Sequence, residues 1–409
     1  MTVESTEREA GVVRRHTFGS FAARQASRIV PGIAAGRLIV DLPWGGRVER
    51  VGKLLGPDVL ISVHRWRALA KLMLGGEVSF AASYLDGDWS TPDPLRLFEL
   101  VMLNETMRLP ARRFSGIARL LDKIHHGLHR NTRSGSKRNI AAHYDLGNDF
   151  YQQWLDRSMT YSAALFADDE TLEEAQQNKI RHVSRLLELR GGERVLEIGC
   201  GWGALAEGLV RQEGSHFTGI TLSEQQFAYA SDRLRPEIAR NQAELRLQDY
   251  RDLGGRFDRI VSIEMFEAVG EAYWRTYFDV VKKRLAQNGI AVLQVITIAE
   301  DRFEKYRRTP DFIQRYIFHG GMLPTKTHLR DLAAGAGLEI MTELSFGIGY
   351  ARTLAEWRSR FKNAWPRLLQ LGFDDRFRRM WDYYLSYCEA GFRAGATDVV
   401  LIKLRALEQ

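Results

Sequence analysis

Residues 194–208 read RVLEIGCGWGALAEG, and this stretch decides the fold. Val195, Leu196 and Ile198 form an apolar run of the length expected for a buried strand. Gly199, Gly201 and Gly203 follow at alternate positions, and Ala204, Leu205, Ala206 and Leu209 begin a helical pattern. Strand, glycine turn and helix in that order form a seat for a nucleoside cofactor, with Glu197 near the carboxyl end of the strand, where such sheets bind ligands. Glycine suits the turn because no Cβ blocks the approach of a ligand to the backbone. The spacing is E-x-G-x-G-x-G. It differs from the G-x-G-x-x-G of dinucleotide sites and lacks the Gly-Lys-Ser/Thr ending of a phosphate-binding loop.

Working outward, TLEEAQQNKIRHVSRLLELRGG predicts a helix that ends at Gly191, just before the glycine-turn strand. Downstream, HFTGIT, AELRLQDY, FDRIVSI, IAVLQVITI and residues 338–345 and 397–405 read as six more strands. Alternation of strands with helices predicts an α/β fold with a largely parallel, seven-stranded Rossmann-like sheet. Glu264 and Glu267 fall at or just beyond the end of the fourth strand. A long segment between the fifth and sixth strands, holding PDFIQRYIFHGGMLPT, is placed to cover the site. The aromatic helical stretch 351–393 is placed to wall a pocket.

Bulk properties bound the remainder. A chain of 409 residues with 45% apolar content suggests two or three globular domains. No run of about 18 apolar residues exists to span a membrane. The first 20 residues lack the apolar centre of a secretory signal, and two cysteines, Cys200 and Cys388, do not make a disulfide scaffold. A cytoplasmic location is the expectation. The net charge of +7 is asymmetric: residues 1–150 hold 22 Lys and Arg against 15 Asp and Glu, leaving 36 of each beyond. The basic front half suits an anionic partner, either a phospholipid face or a nucleic acid.

Residues 1–105 predict a small α+β unit with strands in GRLIVDLPWGGRVERVG and DVLISVHR, turns at 43–46 and 56–58, and helices from about Trp66. It shows no catalytic constellation. Residues 106–139 hold nine basic residues and one acidic, Asp122, around an apolar stripe of Leu120, Leu121, Ile124 and Leu128. This basic amphipathic linker reads equally as a membrane-surface segment or a plain connection. Aromatics are not interleaved with the charges, which weakens a single-stranded nucleic acid reading. Residues 140–409 form the cofactor domain.

The ordered segments HYDLGNDFY, MTYS, EAQQNK, VLEIGCGWG, TLSEQQ, LQDYRDL, FDRIVSIEMFEAVG, YIFHGGMLP and YYLSYCEAGFRA resemble the cyclopropane-fatty-acyl-phospholipid synthases and the mycolic acid cyclopropane synthases. The resemblance runs along nearly the whole chain and is strongest from His143. It implies a class I S-adenosylmethionine methyltransferase domain behind a lipid-associated N-terminal domain. It also implies methyl transfer to the cis double bond of an oleoyl chain on a membrane phospholipid. Tyr161 and Ser162 match the residues that approach the methionine moiety, and Glu197, Gly199 and Gly201 the glycine-turn strand. Thr221, Leu222 and Gln226 match the ribose loop, and Asp249, Tyr250 and Arg251 the adenine side. His143 is a positioning residue or an acid/base. No metal is implied.

An alkene attacks a sulfonium methyl only where the site aligns the two and excludes water. Tyr161, Phe266, Tyr316 and Tyr350 are candidates to stabilise the resulting carbocation. A base then removes a proton, and which proton leaves decides the product: loss from the new methyl closes a cyclopropane, and loss from an adjacent chain carbon gives a methylene or a shifted alkene. In the family the base is a bound bicarbonate, whose ligands correspond here to Ala163, Glu267, Gln294, Ile296 and Tyr350. Four positions depart: Ala163 stands for Cys, Gln294 for His, Ala268 for His and Glu264 for Gly. Bicarbonate is therefore doubtful. Glu264 is expected to take its place as base, as in members that make 10-methylene-stearoyl chains for a separate flavin- or NADPH-dependent reductase. Cyclopropane formation is the alternative product. A nucleic acid methyltransferase and a lipid-binding protein with an inactive site are the other classes. Cys388 is read as a buried structural thiol, and His319, like His143, as a structural or positioning residue with an acid/base role as the alternative. Peripheral attachment to the inner membrane face, and a homodimer, are compatible with the sequence.

Overall fold

The computed structural model describes residues 30–43, 45–105, 135 and 146–407. The expected basic linker thus lies outside the described residues apart from Gly135, and so does His143. Two sheets organise the described chain.

The first contains β1 (Ala35–Asp41), β2 (Arg47–Val51), β3 (Leu54–Val63) and β4 (Trp89–Ser90) in the order β2-β1-β3-β4. β1 pairs antiparallel with β2 and parallel with β3. Alternation puts Leu38, Val40, Val59, Ile61 and Val63 on a buried face. Helices Arg67–Leu85 and Pro94–Leu103 belong to the same unit, the first broken at Gly76, whose φ of 66° and ψ of −155° are not helical. β3 starts at Leu54, so the turn expected at 56–58 is strand and the chain reverses at Gly52 and Lys53 instead. Two facing glycines explain the difference. A Cβ on Gly36 would sit 2.6 Å from the Pro57 carbonyl, and one on Gly56 would sit 2.8 Å from Gly36 N. Their absence lets β1 and β3 close together across a bulge.

The second sheet contains β5 (Arg194–Ile198), β6 (His216–Thr221), β7 (Ala243–Leu247), β8 (Phe257–Ile263), β9 (Leu285–Ile298), β10 (Leu338–Ser345) and β11 (Thr397–Ala406), ordered β10-β11-β9-β8-β5-β6-β7. All seven expected strands are present. β11 runs antiparallel to β9 and β10, while β5 to β9 pair in parallel. The strand order reverses between β5 and β8, which opens a crevice beyond their carboxyl ends.

The helix before β5 spans Leu172–Leu187 behind a capping box of Thr171 and Glu174. It ends at Glu188, in the left-handed region at φ 52°, ahead of the expected Gly191. Helices Gly347–Gln370 and Asp375–Arg393 join the two units. Phe98 of the front unit meets Tyr383 edge-on at 4.7 Å, Arg358 donates to Asp93 at 3.1 Å, and Arg379 donates to the Leu85 carbonyl at 2.9 Å. One apolar core runs through both units without interruption.

Candidate active site

A cavity of about 860 Å³ extends from the glycine turn to the inner face of the first sheet. At one end lie Tyr161, Ser162, Glu197, Gly199, Gly201, Thr221, Leu222, Gln226 and Tyr250, nine of the eleven residues expected at the cofactor. At the other end lie Leu38, Val40, Ile61, Val63, Leu97 and Phe98. Glu264 and Tyr350 line the stretch between.

The glycine turn is built for close approach. Gly199 has φ 87°, and a Cβ there would press on the Met265 side chain at 2.8 Å. Thr221 Oγ1 donates to Gln226 Oε1 at 2.9 Å and accepts from Ser223 N at 3.1 Å, fixing the loop after β6. The expected adenine-side trio divides. Tyr250 lines the cavity, with burial pushing its phenol up to about 12. Asp249 and Arg251 pair with each other at 2.6 Å.

The segment carrying Tyr161, Ser162 and Ala163 is held at several points. Asp156 accepts from Ser158 N at 2.8 Å and Thr160 N at 3.0 Å. Gln176 donates to the Ser162 carbonyl at 3.0 Å, and Ala164 N donates to Thr353 Oγ1 at 3.0 Å. Tyr161 and Tyr384 share a hydroxyl hydrogen bond of 2.9 Å, and the Tyr161 ring lies 5.1 Å from Trp357.

Glu264 follows β8 with a φ of 50°. A non-glycine residue in this region costs roughly 1–3 kcal/mol, and such strain clusters at functional sites. The backbone bend aims its carboxylate into the ring of groups expected to hold bicarbonate. Oε1 accepts from Ala163 N at 2.8 Å and Gln294 Nε2 at 2.7 Å, and Oε2 accepts from the Tyr350 hydroxyl at 2.8 Å. Three of the five expected bicarbonate ligands therefore bind Glu264 itself. The other two engage each other, because Ile296 N donates to Glu267 Oε1.

Electrostatics separate the two buried glutamates. Burial raises both carboxyls, Glu267 to about 8 with the Glu264 charge as the second cause. Glu264 is opposed in this by Lys179 and by its three donors, whereas Glu267 Oε2 has no hydrogen-bond partner among the described residues. Lys179 and the three donors thus favour the charged form of Glu264 more than anything favours that of Glu267. Lys179 is the cation that the sequence reading missed. It is 3% exposed, donates to Ser162 Oγ at 2.6 Å, and is lowered to about 8 by burial against the pull of Glu264, Asp156 and Glu197. A signal existed: Lys179 falls on the stripe of Leu172, Gln176, Ile180, Val183 and Leu187 that packs inward. Glu197 is raised to about 8 by burial, and its Oε2 is also without a partner among the described residues. That orphaned oxygen, the glycine cradle and the adjoining cavity fit a cationic nucleoside ligand.

Two of the four carbocation candidates line the cavity, Tyr161 and Tyr350. Phe266 packs instead among Trp274, Tyr277 and Phe278 in the core beside β8, and the Tyr316 ring lies tilted against Phe312 at 5.1 Å. Cys388 and His319 reach the cavity wall, and burial raises the Cys388 thiol far above the range of a nucleophile.

A family model described as mycolic acid cyclopropane synthetase matches residues 131–402. The chain belongs to this family. Its relatives include tuberculostearic acid methyltransferase UfaA1 of Mycobacterium tuberculosis, 37% identical over 82% of this chain and 81% of that one. Cyclopropane-fatty-acyl-phospholipid synthase of Escherichia coli is 36% identical over 79% of this chain and 82% of its own. Among solved structures, mycolic acid cyclopropane synthase CmaA1 complexed with SAH and CTAB aligns with a TM-score of 0.62 at 30% identity, covering 66% of this chain and 98% of that one. As a member of the family, the chain has the class I methyltransferase fold and is an S-adenosylmethionine-dependent methyltransferase of fatty acyl chains.

Proposed function

We propose that the enzyme methylates the cis double bond of oleoyl chains in membrane phospholipids and releases a 10-methylene-branched chain, with Glu264 as its built-in base. One observation carries this reading: the Glu264 carboxylate accepts from Ala163 N, Gln294 and Tyr350, the donors that would otherwise surround a bicarbonate. The 37% identity to a tuberculostearic acid methyltransferase supports the product assignment.

Bound S-adenosylmethionine supplies an electrophilic methyl group. On this reading Tyr161, Ser162, Glu197, Gly199, Gly201, Thr221, Leu222, Gln226 and Tyr250 hold the cofactor. The apolar cavity keeps water from the reacting carbons, and the faces of Tyr161 and Tyr350 stabilise the cation that methylation leaves on the neighbouring carbon. To give a methylene, a hydride moves from the methylated carbon to that cationic carbon. Glu264 then takes a proton from the former methyl, and the C–H pair becomes the new double bond. This balance corrects the simpler expectation that the proton comes from the acyl chain. Without the hydride shift, loss of the same proton closes a cyclopropane, the second reading, which the E. coli relative supports. Timing and the placement of Glu264 decide between them.

Peripheral attachment to an anionic inner membrane face belongs to the same proposal. So does a reductase of the flavin- or NADPH-dependent class that consumes the methylene. No helix among the described residues is long and apolar enough to cross a membrane.

The test is Glu264→Gln with oleoyl phospholipid and S-adenosylmethionine. Turnover is expected to fall about 10²–10⁴-fold, the usual worth of a positioned base, while cofactor affinity holds. Full activity would dismiss the role. Fragmentation of the product then distinguishes the methylene from the cyclopropane of equal mass.

A further inference from the structure

The apolar end of the cavity approaches the surface at one corner of the front unit. Val101 and Met102 line the cavity, and Val101 is also 43% exposed. Leu103 beside it is 57% exposed. The turn between β2 and β3 lies at the same corner, because Leu54 N donates to the Ala34 carbonyl at 2.9 Å and Asn104 Oδ1 accepts from Ala34 N and Ala35 N at 2.6 and 2.9 Å. That turn presents Val51, Leu54 and Leu55 to solvent at 68%, 66% and 100%. Five large apolar side chains thus crowd one small surface, far more than scattered exposure explains.

Charge surrounds the corner. Lys53 stands exposed between Val51 and Leu54. Arg302 and Lys305 line the same cavity, and Arg302 pairs with Glu105, two residues beyond Leu103. The carboxylates Glu49, Glu99 and Glu105 are matched by Arg37, Arg393 and Arg302, while Asp58 is exposed and Glu77 lines the cavity. Past Glu105 the sequence enters residues 106–139, with nine basic residues against one acidic.

We propose that this corner, formed by Val51, Leu54, Leu55, Val101 and Leu103, docks on an anionic phospholipid bilayer and receives the acyl chain into the cavity. The inference rests on the phospholipid substrate proposed above. Apolar side chains enter the acyl boundary while the flanking cations stay at headgroup level, as in other interfacial anchors. A lipid tail then passes from the bilayer past Val101 and Met102 to the apolar end lined by Leu38, Val40, Ile61, Val63, Leu97 and Phe98.

The test uses the full-length enzyme and the double variant Leu54→Ser/Leu55→Ser, whose positions are exposed. Sedimentation with vesicles containing phosphatidylglycerol measures docking. Methyl transfer is measured on those vesicles and on the same lipid dispersed in detergent micelles. The expected result is at least tenfold weaker vesicle binding and a parallel loss of activity on vesicles, with micellar activity within about twofold of the parent. Micellar activity also reports correct folding. Unchanged vesicle binding overturns the proposal, as does conversion of a dimer to a monomer in the variant, which would assign the corner to a second copy of the chain. An inactive parent on both lipid forms, with vesicle binding lost in the variant, would sink the substrate reading and leave the docking surface standing.

Discussion

The two ends of the cavity are built on opposite principles. Around Glu264 each carboxylate oxygen is met by named donors at 2.7–2.8 Å. At the far end, Leu38, Val40, Ile61, Val63 and Leu97 offer only apolar surface. The first end fixes a charge and a direction, since a buried carboxylate tolerates little displacement once its hydrogen bonds are set. The second fixes a volume, because apolar contact has no preferred orientation. Chemistry is therefore sensitive to single atoms at one end, and substrate choice to bulk at the other.

The contrast breaks most sharply if the polar end is emptied. Glu264→Gly restores the residue usual in the resembled family and removes the left-handed strain. Turnover without added anions should fall by at least 10²-fold, with partial rescue by millimolar bicarbonate and a shift toward cyclopropane in the product spectrum. No rescue would mean that the vacated donors cannot hold a free anion.

Crowding the apolar end should act on a different quantity. Leu97→Trp should lower kcat/KM for oleoyl phospholipid about tenfold, the scale on which apolar pockets discriminate by size, with cofactor affinity unchanged. An equal loss for shorter acyl chains would argue against that end as the chain's sleeve.

The smallest effects are those of pH. Glu264 must be ionised to accept a proton, and burial raises its carboxyl, so the acidic limb of the rate profile should lie above the ordinary carboxylate range. Lys179→Met removes the cation that opposes this rise, and the limb should move further upward. Glu267→Gln reports on stability instead. Burial pushes the folded carboxyl up to about 8, while in the unfolded chain it stays near 4.5. The native state therefore binds the extra proton between those values, and its contribution is present below 4.5 and lost as pH rises toward 8. The variant should gain stability relative to its parent across that window in thermal melts.

Much of the cofactor half was legible because its signals are local. Glycines at 199, 201 and 203, apolar runs and short loops define β5 and the crevice without help from distant residues. Glu264 was legible as an anomaly against the resemblance, and the carboxylate's three partners follow from it. Lys179 was missed because a lysine in an amphipathic helix reads as solvent-facing until the packing partner of that face is known. Phe266 was misassigned for the converse reason. It lies between Glu264 and Glu267 in sequence, but the short 3-10 turn Phe266–Ala268 points it into the core beside Trp274. The turn in the front unit moved because the Gly36–Gly56 approach depends on two strands meeting, which no local window contains.

On the proposed role of Glu264 as base, its left-handed bend has a consequence for the cell as well as for the reaction. A reagent borne on the polypeptide does not have to be captured from the surroundings. Lipid branching by such an enzyme would proceed at the same pace in aerated and in carbon-dioxide-rich culture, whereas an enzyme that borrows its anion would follow the gas phase.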